Sequence, residues 1–211
     1  MKKFWINKKN NKKLIVFFSG WGMDEKSVSH LDFSGFDVLV FFDYRNLQTD
    51  ENVWHDINAY SEIFLVGWSM GVMISSIFAN KICKITKKIA VAGTLKPIDD
   101  NYGIPVKIYE LTAKNFNDLS KKKFLRKMFA VDDSKFINRA TAELKEELIA
   151  LRKFSAVDVD FDKSLIPLND KIIPAQNQID FWQSRLQTKT ITLDCGHYPF
   201  FEFKFWEEIV Q

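Results

Sequence analysis

The sequence has little cysteine and a small net charge, and each shortage excludes a class of protein. Its only two cysteines, Cys83 and Cys195, lie too far apart for a metal or redox motif. No signal-type apolar segment follows the N-terminal lysines, so we expect a protein of the reducing cytoplasm. The net charge of +3 is spread along the chain, which argues against nucleic acid and favours a mildly acidic partner.

One apolar stretch approaches the length of a membrane span. Residues 63–80 carry no charge, and a span requires roughly 20 apolar residues. Two glycines and three serines interrupt the stretch, and a buried strand that leads into a buried helix gives the same pattern in a parallel sheet. We therefore predict no membrane association.

Strands and helices are predicted to alternate along most of the chain, which implies a parallel sheet with right-handed crossovers. The predicted strands lie at residues 4–6, 14–18, 38–42, 63–66, 88–94, 165–168 and 190–193. Residues 7–13 look like a hairpin or a short loop, and helices are predicted near residues 25–31 and 51–60.

Between residues 95 and 164 the alternation gives way to helical periodicity, with Thr141 as a candidate N-cap. Such an interval is too long for an ordinary crossover. We predict a single domain, residues 1–211, with a helical lid inserted at about residues 100–160.

Ser69 has the sequence context of a catalytic nucleophile. The pentapeptide Gly67-Trp68-Ser69-Met70-Gly71 stands between the apolar runs 63–66 and 72–74. Strand, tight turn and helix in this order form the nucleophile elbow of α/β-hydrolases, where flanking glycines relieve crowding. The pattern predicts an α/β-hydrolase fold, a mostly parallel central sheet flanked by helices, with Ser69 as nucleophile.

The general base for this serine has few candidates, because the chain has only three histidines. His30 and His55 precede Ser69 and are expected on helix surfaces. α/β-Hydrolases supply their triad in the order serine, acid, histidine. His197, which follows the last predicted strand, is therefore the predicted base.

Asp170 is the predicted acid that orients the histidine. It follows a predicted strand at the ligand-binding edge of the sheet and precedes Pro174, which favours the start of a helix. Asp194 is the alternative, although it lies close to His197 in sequence. Three further carboxylates precede the strand and are expected at its opposite end: Asp158, Asp160 and Asp162.

Acyl transfer also requires two backbone N–H donors for the oxyanion. In this fold one belongs to the residue after the nucleophile, here Met70, and the other to a loop that follows an early strand. Trp21, in Ser19-Gly20-Trp21-Gly22, fits the second position, and we call residues 19–22 the oxyanion loop. Trp68 is predicted to line the acyl pocket with Trp21 or to be a core or rim aromatic.

The predicted lid contains a two-sided helix at residues 121–129. Its apolar side repeats at four-residue spacing, with Phe124 and Met128 as one pair. Its other flank is basic: Lys122 and Arg126, Lys123 and Lys127. Both a solvated helix face and a docking site for an acidic partner fit this pattern.

Several segments together resemble one family. Residues 18–24 (Phe-Ser-Gly-Trp-Gly-Met-Asp), 42–44 (Phe-Asp-Tyr), 67–71 and 93–98 (Gly-Thr-Leu-Lys-Pro-Ile) closely resemble pimeloyl-acyl-carrier-protein methyl ester esterases of the BioG type. The resemblance covers nearly the whole chain and includes a Phe-x-x-x-Met segment in the lid. Ser19 departs from the broader hydrolase pattern, which often has histidine there, so the loop is expected to be held differently.

The resemblance implies an enzyme of biotin synthesis that removes the methyl group from the far carboxylate of a carrier-bound pimeloyl chain, with no metal or organic cofactor. The implied roles are Ser69 as nucleophile, His197 as general base, Asp170 as orienting acid, and Trp21 and Met70 as oxyanion donors. The acidic acyl carrier protein would be the partner, steered by Lys122, Arg126 and the neighbouring lysines. A general carboxylesterase or thioesterase and a non-catalytic binding module remain as alternatives.

Overall fold

The computed structural model describes residues 1–129 and 139–211. In this part of the chain seven strands form one sheet in the order β1-β3-β2-β4-β5-β6-β7. The strands are β1 (Lys2–Asn7), β2 (Lys13–Phe18), β3 (Phe36–Phe42), β4 (Glu62–Trp68), β5 (Lys87–Val91), β6 (Lys163–Pro167) and β7 (Lys189–Leu193). All neighbouring strands are parallel except β1 and β3. The predicted mostly parallel sheet is confirmed.

The connection between β1 and β2 is a loop and not a hairpin. β1 pairs antiparallel with β3, so that Phe4 lies opposite Val40. β2 lies on the other side of β3 and pairs with both β3 and β4. Central strands of parallel sheets are covered on both faces, and the residues of β2 after Lys13 are all buried accordingly.

Helices cover the sheet, and among the described residues three of them lie between β5 and β6. They are α1 (Asn52–Asn58), α2 (Met70–Phe78), α3 (Val106–Asn115), α4 (Asp118–Phe129), α5 (Thr141–Leu151), α6 (Ala175–Gln183) and α7 (Trp206–Val210). The helix predicted near residues 25–31 is only a 3₁₀ turn, Glu25–Val28, because its N–H groups bond three residues back.

Three of these helices, α3, α4 and α5, lie within the segment expected to form the lid. Thr141 is the first residue of α5 and not its N-cap, a position that Ala140 occupies. The Thr141 hydroxyl group instead hydrogen-bonds to Asp118 and joins α5 to the start of α4. The assignment of a lid in a single domain stays a prediction.

The uncharged stretch 63–80 contributes to β4 and α2, which pack together in the core. Within residues 1–129 and 139–211, the structure contains no helix with the length and apolar character needed to cross a membrane. The parallel strands β2, β4, β6 and β7 all end at one edge of the sheet, where α/β proteins bind ligands.

Candidate active site

Ser69 lies on a sharp turn between β4 and α2. Its backbone has φ 56° and ψ −121°, a region that a non-glycine residue rarely adopts. A Cβ atom on Gly67 would approach Val72 Cα to 2.6 Å, and one on Gly71 would approach the carbonyl oxygen of Phe18 to 2.1 Å. Both flanking positions therefore require glycine, as the crowding argument predicted.

The imidazole of His197 lies between Ser69 and Asp170. Its Nε2 atom is 2.9 Å from Ser69 Oγ, and its Nδ1 atom is 2.7 Å from Asp170 Oδ2. The side chains of His197 and Asp170 are fully buried, and Ser69 is 5% exposed. The structure thus joins the three predicted residues in one hydrogen-bonded chain, in the arrangement that activates a serine hydroxyl.

Asp170 is held in place by three further donors. Its Oδ1 atom accepts hydrogen bonds from the backbone N–H groups of Ile172 and Ile173, and its Oδ2 atom accepts one from Gln178 Nε2 at 2.9 Å. Sequence reasoning missed the fully buried Gln178. One signal was available, because Gln178 precedes Phe181 and Trp182 by three and four residues and so shares their apolar face of α6.

None of the alternative carboxylates contacts His197 in the described structure. Asp194 accepts a hydrogen bond from Asn169. Asp158 pairs with Arg185, Asp160 lies 3.6 Å from the same arginine, and Asp162 accepts a hydrogen bond from the backbone of Lys88 at the start of β5. His30 and His55 are exposed, and His30 lies just beyond the 3₁₀ turn rather than in a helix.

The predicted oxyanion donors, Trp21 and Met70, belong to residues at the cavity that contains Ser69. Met70 is the first residue of α2, so its N–H group has no partner within the helix. Trp21 lies in the oxyanion loop, and its indole nitrogen donates to the carbonyl oxygen of Leu144 in α5, 3.0 Å away. Both residues line the same cavity as Ser69. Their role as oxyanion donors stays a prediction.

Trp68 does not line this cavity, which corrects its assignment as a substrate-binding residue. Its side chain is fully buried, and its indole nitrogen donates to the carbonyl oxygen of His197 at 3.1 Å. Its ring packs against Tyr198 and Phe200 beneath the loop that carries His197. Trp68 is a core residue because the turn at Ser69 separates the two side chains.

A cavity of about 390 Å³ opens over Ser69. Its walls are mainly apolar side chains from α3, α4 and α5: Ile108, Tyr109, Leu111, Phe124, Met128 and Leu148. Three lysines also line it: Lys123, Lys127 and Lys171. The size and lining are typical of a site for a small apolar ligand.

Helix α4 has the predicted two-sided character. Leu125, Met128 and Phe129 are buried, while the basic residues of the opposite flank are exposed. Lys122 and Arg126, predicted as substrate-binding residues, belong to this exposed flank and are not among the described residues that line the cavity. The helix turn places the other basic pair, Lys123 and Lys127, at the cavity.

The two cysteines differ in environment. Cys83 is exposed, and Cys195 is half-buried. Burial, with the charges of Glu202, Asp170 and Asp194, raises the pKa of Cys195 to about 11, so its thiol stays protonated near neutral pH. Among the described residues, no group of three metal-ligating side chains converges.

A second, larger groove of about 720 Å³ lies away from Ser69. Its arginines are already paired, Arg152 with Glu110 and Arg185 with Asp158. The 390 Å³ cavity is therefore the one that combines a nucleophile with an apolar wall.

Comparisons with known proteins agree on one family. The family model described as pimeloyl-ACP methyl esterase BioG matches residues 1–209. The chain is 36% identical over 198 residues to a malonyl-[acyl-carrier protein] O-methyltransferase from Bacteroides fragilis (strain 638R), covering 89% of this chain and 40% of that protein. It thus spans less than half of that relative. It is 32% identical over 207 residues to an uncharacterized protein from Haemophilus influenzae, covering 93% of both.

Solved structures support the same assignment. The crystal structure of BioG from Haemophilus influenzae superposes with a TM-score of 0.87 at 29% identity, covering all of both chains. A lipase-esterase related protein from Clostridium acetobutylicum gives a TM-score of 0.70 at 15% identity over 94% of this chain and 92% of that one, which supports the α/β-hydrolase fold. Because the family model covers nearly its whole length, the chain belongs to the family of pimeloyl-ACP methyl esterase BioG.

Proposed function

We propose that this protein is a serine carboxylesterase that hydrolyses the methyl ester of pimeloyl-[acyl-carrier protein] methyl ester and so ends pimeloyl chain synthesis for biotin. The observation that carries the proposal is the hydrogen-bonded chain from Ser69 through His197 to Asp170, at the base of an apolar cavity. Membership of the BioG family supports the choice of substrate.

The mechanism begins with attack of Ser69 Oγ on the ester carbonyl carbon. His197 Nε2, 2.9 Å away, accepts the serine proton and then gives it to the departing methoxy group, so methanol leaves. Asp170 fixes the imidazole tautomer and stabilises the imidazolium that forms. Water, deprotonated by the same imidazole, then attacks the acyl-enzyme and releases the carboxylic acid.

The tetrahedral intermediates carry a negative oxygen, which requires donors fixed in advance. The N–H groups of Trp21 and Met70, two residues that line the same cavity as Ser69, are the proposed pair. Loss of one such donor costs about 3 kcal/mol in barrier height. The N-terminal end of α2 adds the positive end of its dipole at the same place.

The cavity suits an acyl chain whose far end must reach Ser69. Each methylene group moved from water into an apolar wall contributes roughly 0.8 kcal/mol to binding. With the ester at Ser69, the chain runs along the apolar walls and its thioester end leaves near the lysines. The positive charges of Lys123, Lys127 and Lys171 would then face the acidic carrier and its phosphate-bearing arm.

This orientation has a chemical consequence that separates two enzyme classes. When methanol leaves, the acyl group on Ser69 is still attached to the carrier, so the acyl-enzyme is a covalent conjugate of two proteins. A thioesterase would instead release the carrier in its first step and keep only the acyl group.

The direct test is the mass of the carrier after incubation with the enzyme. Hydrolysis of the methyl ester leaves an acyl carrier with a free carboxylate, whereas thioester hydrolysis leaves the bare carrier thiol. We expect the first product from wild type and unchanged substrate from Ser69→Ala. Faster hydrolysis of short soluble esters than of the carrier-bound ester would favour a general carboxylesterase.

Two further properties belong to this proposal. Activity is expected to fall on acidification, because a protonated imidazole cannot accept the serine proton. The cytoplasmic location also stays a prediction, which a carrier-bound substrate supports.

A further inference from the structure

We propose that Tyr44 is a positioning residue of the oxyanion hole, because its hydroxyl group holds the carbonyl oxygen of Ser19 and thereby sets the path of the oxyanion loop to Trp21. This inference rests on the proposed function only in requiring that Ser69 forms an acyl-enzyme. It does not depend on which acyl group is hydrolysed.

The first observation is how Ser19 is held. The Tyr44 hydroxyl oxygen lies 2.8 Å from the carbonyl oxygen of Ser19 and 3.0 Å from that of Phe41. The Ser19 N–H group donates to the same Phe41 oxygen at 2.9 Å. Both backbone polar groups of Ser19 are therefore held, the N–H group by Phe41 in β3 and the carbonyl oxygen by Tyr44 in the turn after β3. The orientation of the peptide that leads into Gly20 is fixed with them.

The second observation concerns Gly20, the next residue of the oxyanion loop, whose backbone is weakly restrained. Gly20 has no side chain of its own to restrain its backbone, and glycine is the most conformationally free residue. A Cβ atom there would lie 3.1 Å from the Trp68 ring, so packing limits the loop from below. The hydrogen bond from Tyr44 supplies a polar restraint, one peptide before the N–H group of Trp21.

The third observation is that Tyr44 is itself held by the helix that also anchors Trp21. The buried carboxylate of Glu147, in α5, accepts a hydrogen bond from the Tyr44 backbone N–H group at 2.8 Å. Leu144, three residues earlier in α5, accepts the indole N–H of Trp21. The oxyanion loop is thus tied to α5 at two points, directly at Trp21 and through Tyr44 at Ser19.

The Glu147 carboxylate is fixed in turn by a buried charge cluster. Its second oxygen lies 2.5 Å from Arg139 Nη1, and Arg139 also lies 3.0 Å from Asp43, the residue before Tyr44. Burial, together with the Glu147 charge, raises the pKa of Tyr44 well above its usual range. The hydroxyl group therefore remains a donor throughout the pH range in which an esterase is assayed.

The test is Tyr44→Phe, which keeps the ring and removes only the hydroxyl group, assayed on a small soluble ester. We expect kcat to fall about tenfold with KM changed less than twofold, an effect comparable to one ordinary hydrogen bond and smaller than the loss of an oxyanion donor. Affinity for a trifluoromethyl ketone, which forms a tetrahedral oxyanion on Ser69, should fall by the same factor as kcat. A merely structural role would not link these two quantities.

The matched control is Tyr60→Phe. Tyr60 also loses a hydroxyl hydrogen bond, to Asp37 at 2.7 Å, but it lies before β4 at the opposite edge of the sheet. If wild type is active and the kcat of Tyr44→Phe lies within twofold of the wild-type kcat, the inference is overturned and the proposed function is not. An equal loss of kcat in Tyr60→Phe would also overturn the inference alone. A wild type that hydrolyses neither the small soluble ester nor the carrier-bound methyl ester would refute the proposed function and the inference together.

A second variant decides the matter if Tyr44→Phe does not fold. Glu147→Gln leaves the Tyr44 side chain intact and replaces a charged acceptor of its backbone N–H group by a neutral one. We expect a folded protein with kcat reduced about threefold and KM unchanged. A folded Glu147→Gln variant with wild-type kcat and wild-type ketone affinity would contradict the inference.

Discussion

The indole nitrogen of Trp68 donates a hydrogen bond to the backbone carbonyl oxygen of His197 across 3.1 Å. The residue beside the proposed nucleophile in sequence therefore supports the proposed base, which lies 129 positions later in the chain. The same ring lies beneath Gly20 in the oxyanion loop. The buried Trp68 side chain thus fixes the relative positions of the turn that carries the proposed nucleophile, the proposed base and the oxyanion loop.

Replacement of this side chain by Trp68→Phe should both slow catalysis and destabilise the fold. The variant keeps an aromatic ring but leaves the His197 carbonyl oxygen without its donor, which costs about 1–3 kcal/mol of unfolding free energy. We expect kcat to fall about tenfold as the imidazole loses its fixed position. Steady-state kinetics with a soluble ester and thermal unfolding give the two quantities.

Trp54→Phe is the control for Trp68→Phe. Trp54 is also buried, and its indole nitrogen has no hydrogen-bond partner within the described residues. The control should lose stability through its smaller ring and keep its kcat. Equal losses of kcat in the two variants would contradict the role assigned to Trp68.

Glycines near the triad should differ sharply in their tolerance of alanine. A Cβ atom on Gly93 would lie 2.6 Å from the carbonyl oxygen of Ser69, whereas one on Gly196 would meet, among residues 1–129 and 139–211, only Met128 O at an ordinary 3.7 Å. Gly93→Ala must displace the turn at Ser69, and a displacement of about 1 Å can cost a hundredfold in rate. We expect that loss in Gly93→Ala and near wild-type kinetics in Gly196→Ala.

Local sequence patterns predicted the parts of the site that depend on chain order. The glycines around Ser69, the strand ends before Asp170 and His197, and the apolar face of α4 all follow from spacing and steric rules. The parallel sheet follows from the alternation of strands and helices. The pairing of β1 with β3 could not be predicted from the sequence, because an edge strand has the same sequence pattern whether it pairs with β2 or with β3.

Contacts that arise only from tertiary packing were beyond sequence reasoning. In the sequence, Trp68 fits a pocket residue and a core residue equally well. In the structure, the turn at Ser69 separates the Trp68 side chain from the Ser69 side chain and places Trp68 in the core. Which basic pair of α4 faces the cavity depends on the helix rotation, which the spacing alone leaves open. Glu147 reads as one more surface carboxylate in α5, although it is fully buried beside Arg139.

The basic pairs of α4 allow a prediction about carrier binding, because two double variants can be compared that change the net charge equally. Reversal of the cavity pair in Lys123→Glu/Lys127→Glu should lower kcat/KM for the carrier-bound ester about tenfold or more at low salt. Reversal of the outer pair in Lys122→Glu/Arg126→Glu makes the same change in charge and should lower it about threefold. The reason is that, of the two pairs, only Lys123 and Lys127 line the cavity that is proposed to take the acyl chain.

Salt and substrate provide the checks for this comparison. High ionic strength should narrow the difference in kcat/KM between the two double variants, because salt screens exposed charges. Turnover of a small soluble ester should change much less than turnover of the carrier-bound ester. A larger loss of kcat/KM from reversal of the outer pair would indicate that Lys122 and Arg126 contact the carrier instead.

Asp43 should make the fold sensitive to acid. Burial alone would raise its pKa, but hydrogen bonds and the charges of Arg45, Arg139 and Lys2 lower it from 3.8 to about 2. Since the folded-state pKa lies below the unfolded one, the stabilisation is fully present above pH 3.8 and is lost as pH falls towards 2. We expect it to contribute about 1–2 kcal/mol at pH 6.

Asp43→Asn tests this linkage, because asparagine tolerates the positive φ of 59° at this position. Denaturant unfolding at a series of pH values from 6 to 2 should show wild type as the more stable protein at pH 6, with the difference shrinking as pH falls. A difference that stays constant with pH would show that the carboxylate charge is not what stabilises the cluster.

The most direct measurement of the whole account uses a carrier-bound chain whose methyl ester is replaced by a fluorophosphonate. Phosphorus then occupies the place of the ester carbonyl carbon, and attack by Ser69 expels fluoride to leave a stable bond. The account predicts a one-to-one conjugate of enzyme and carrier by intact mass, mapped to Ser69, absent in Ser69→Ala and formed far more slowly in His197→Gln. Absence of the conjugate from wild type, or its attachment to another residue, would contradict the account.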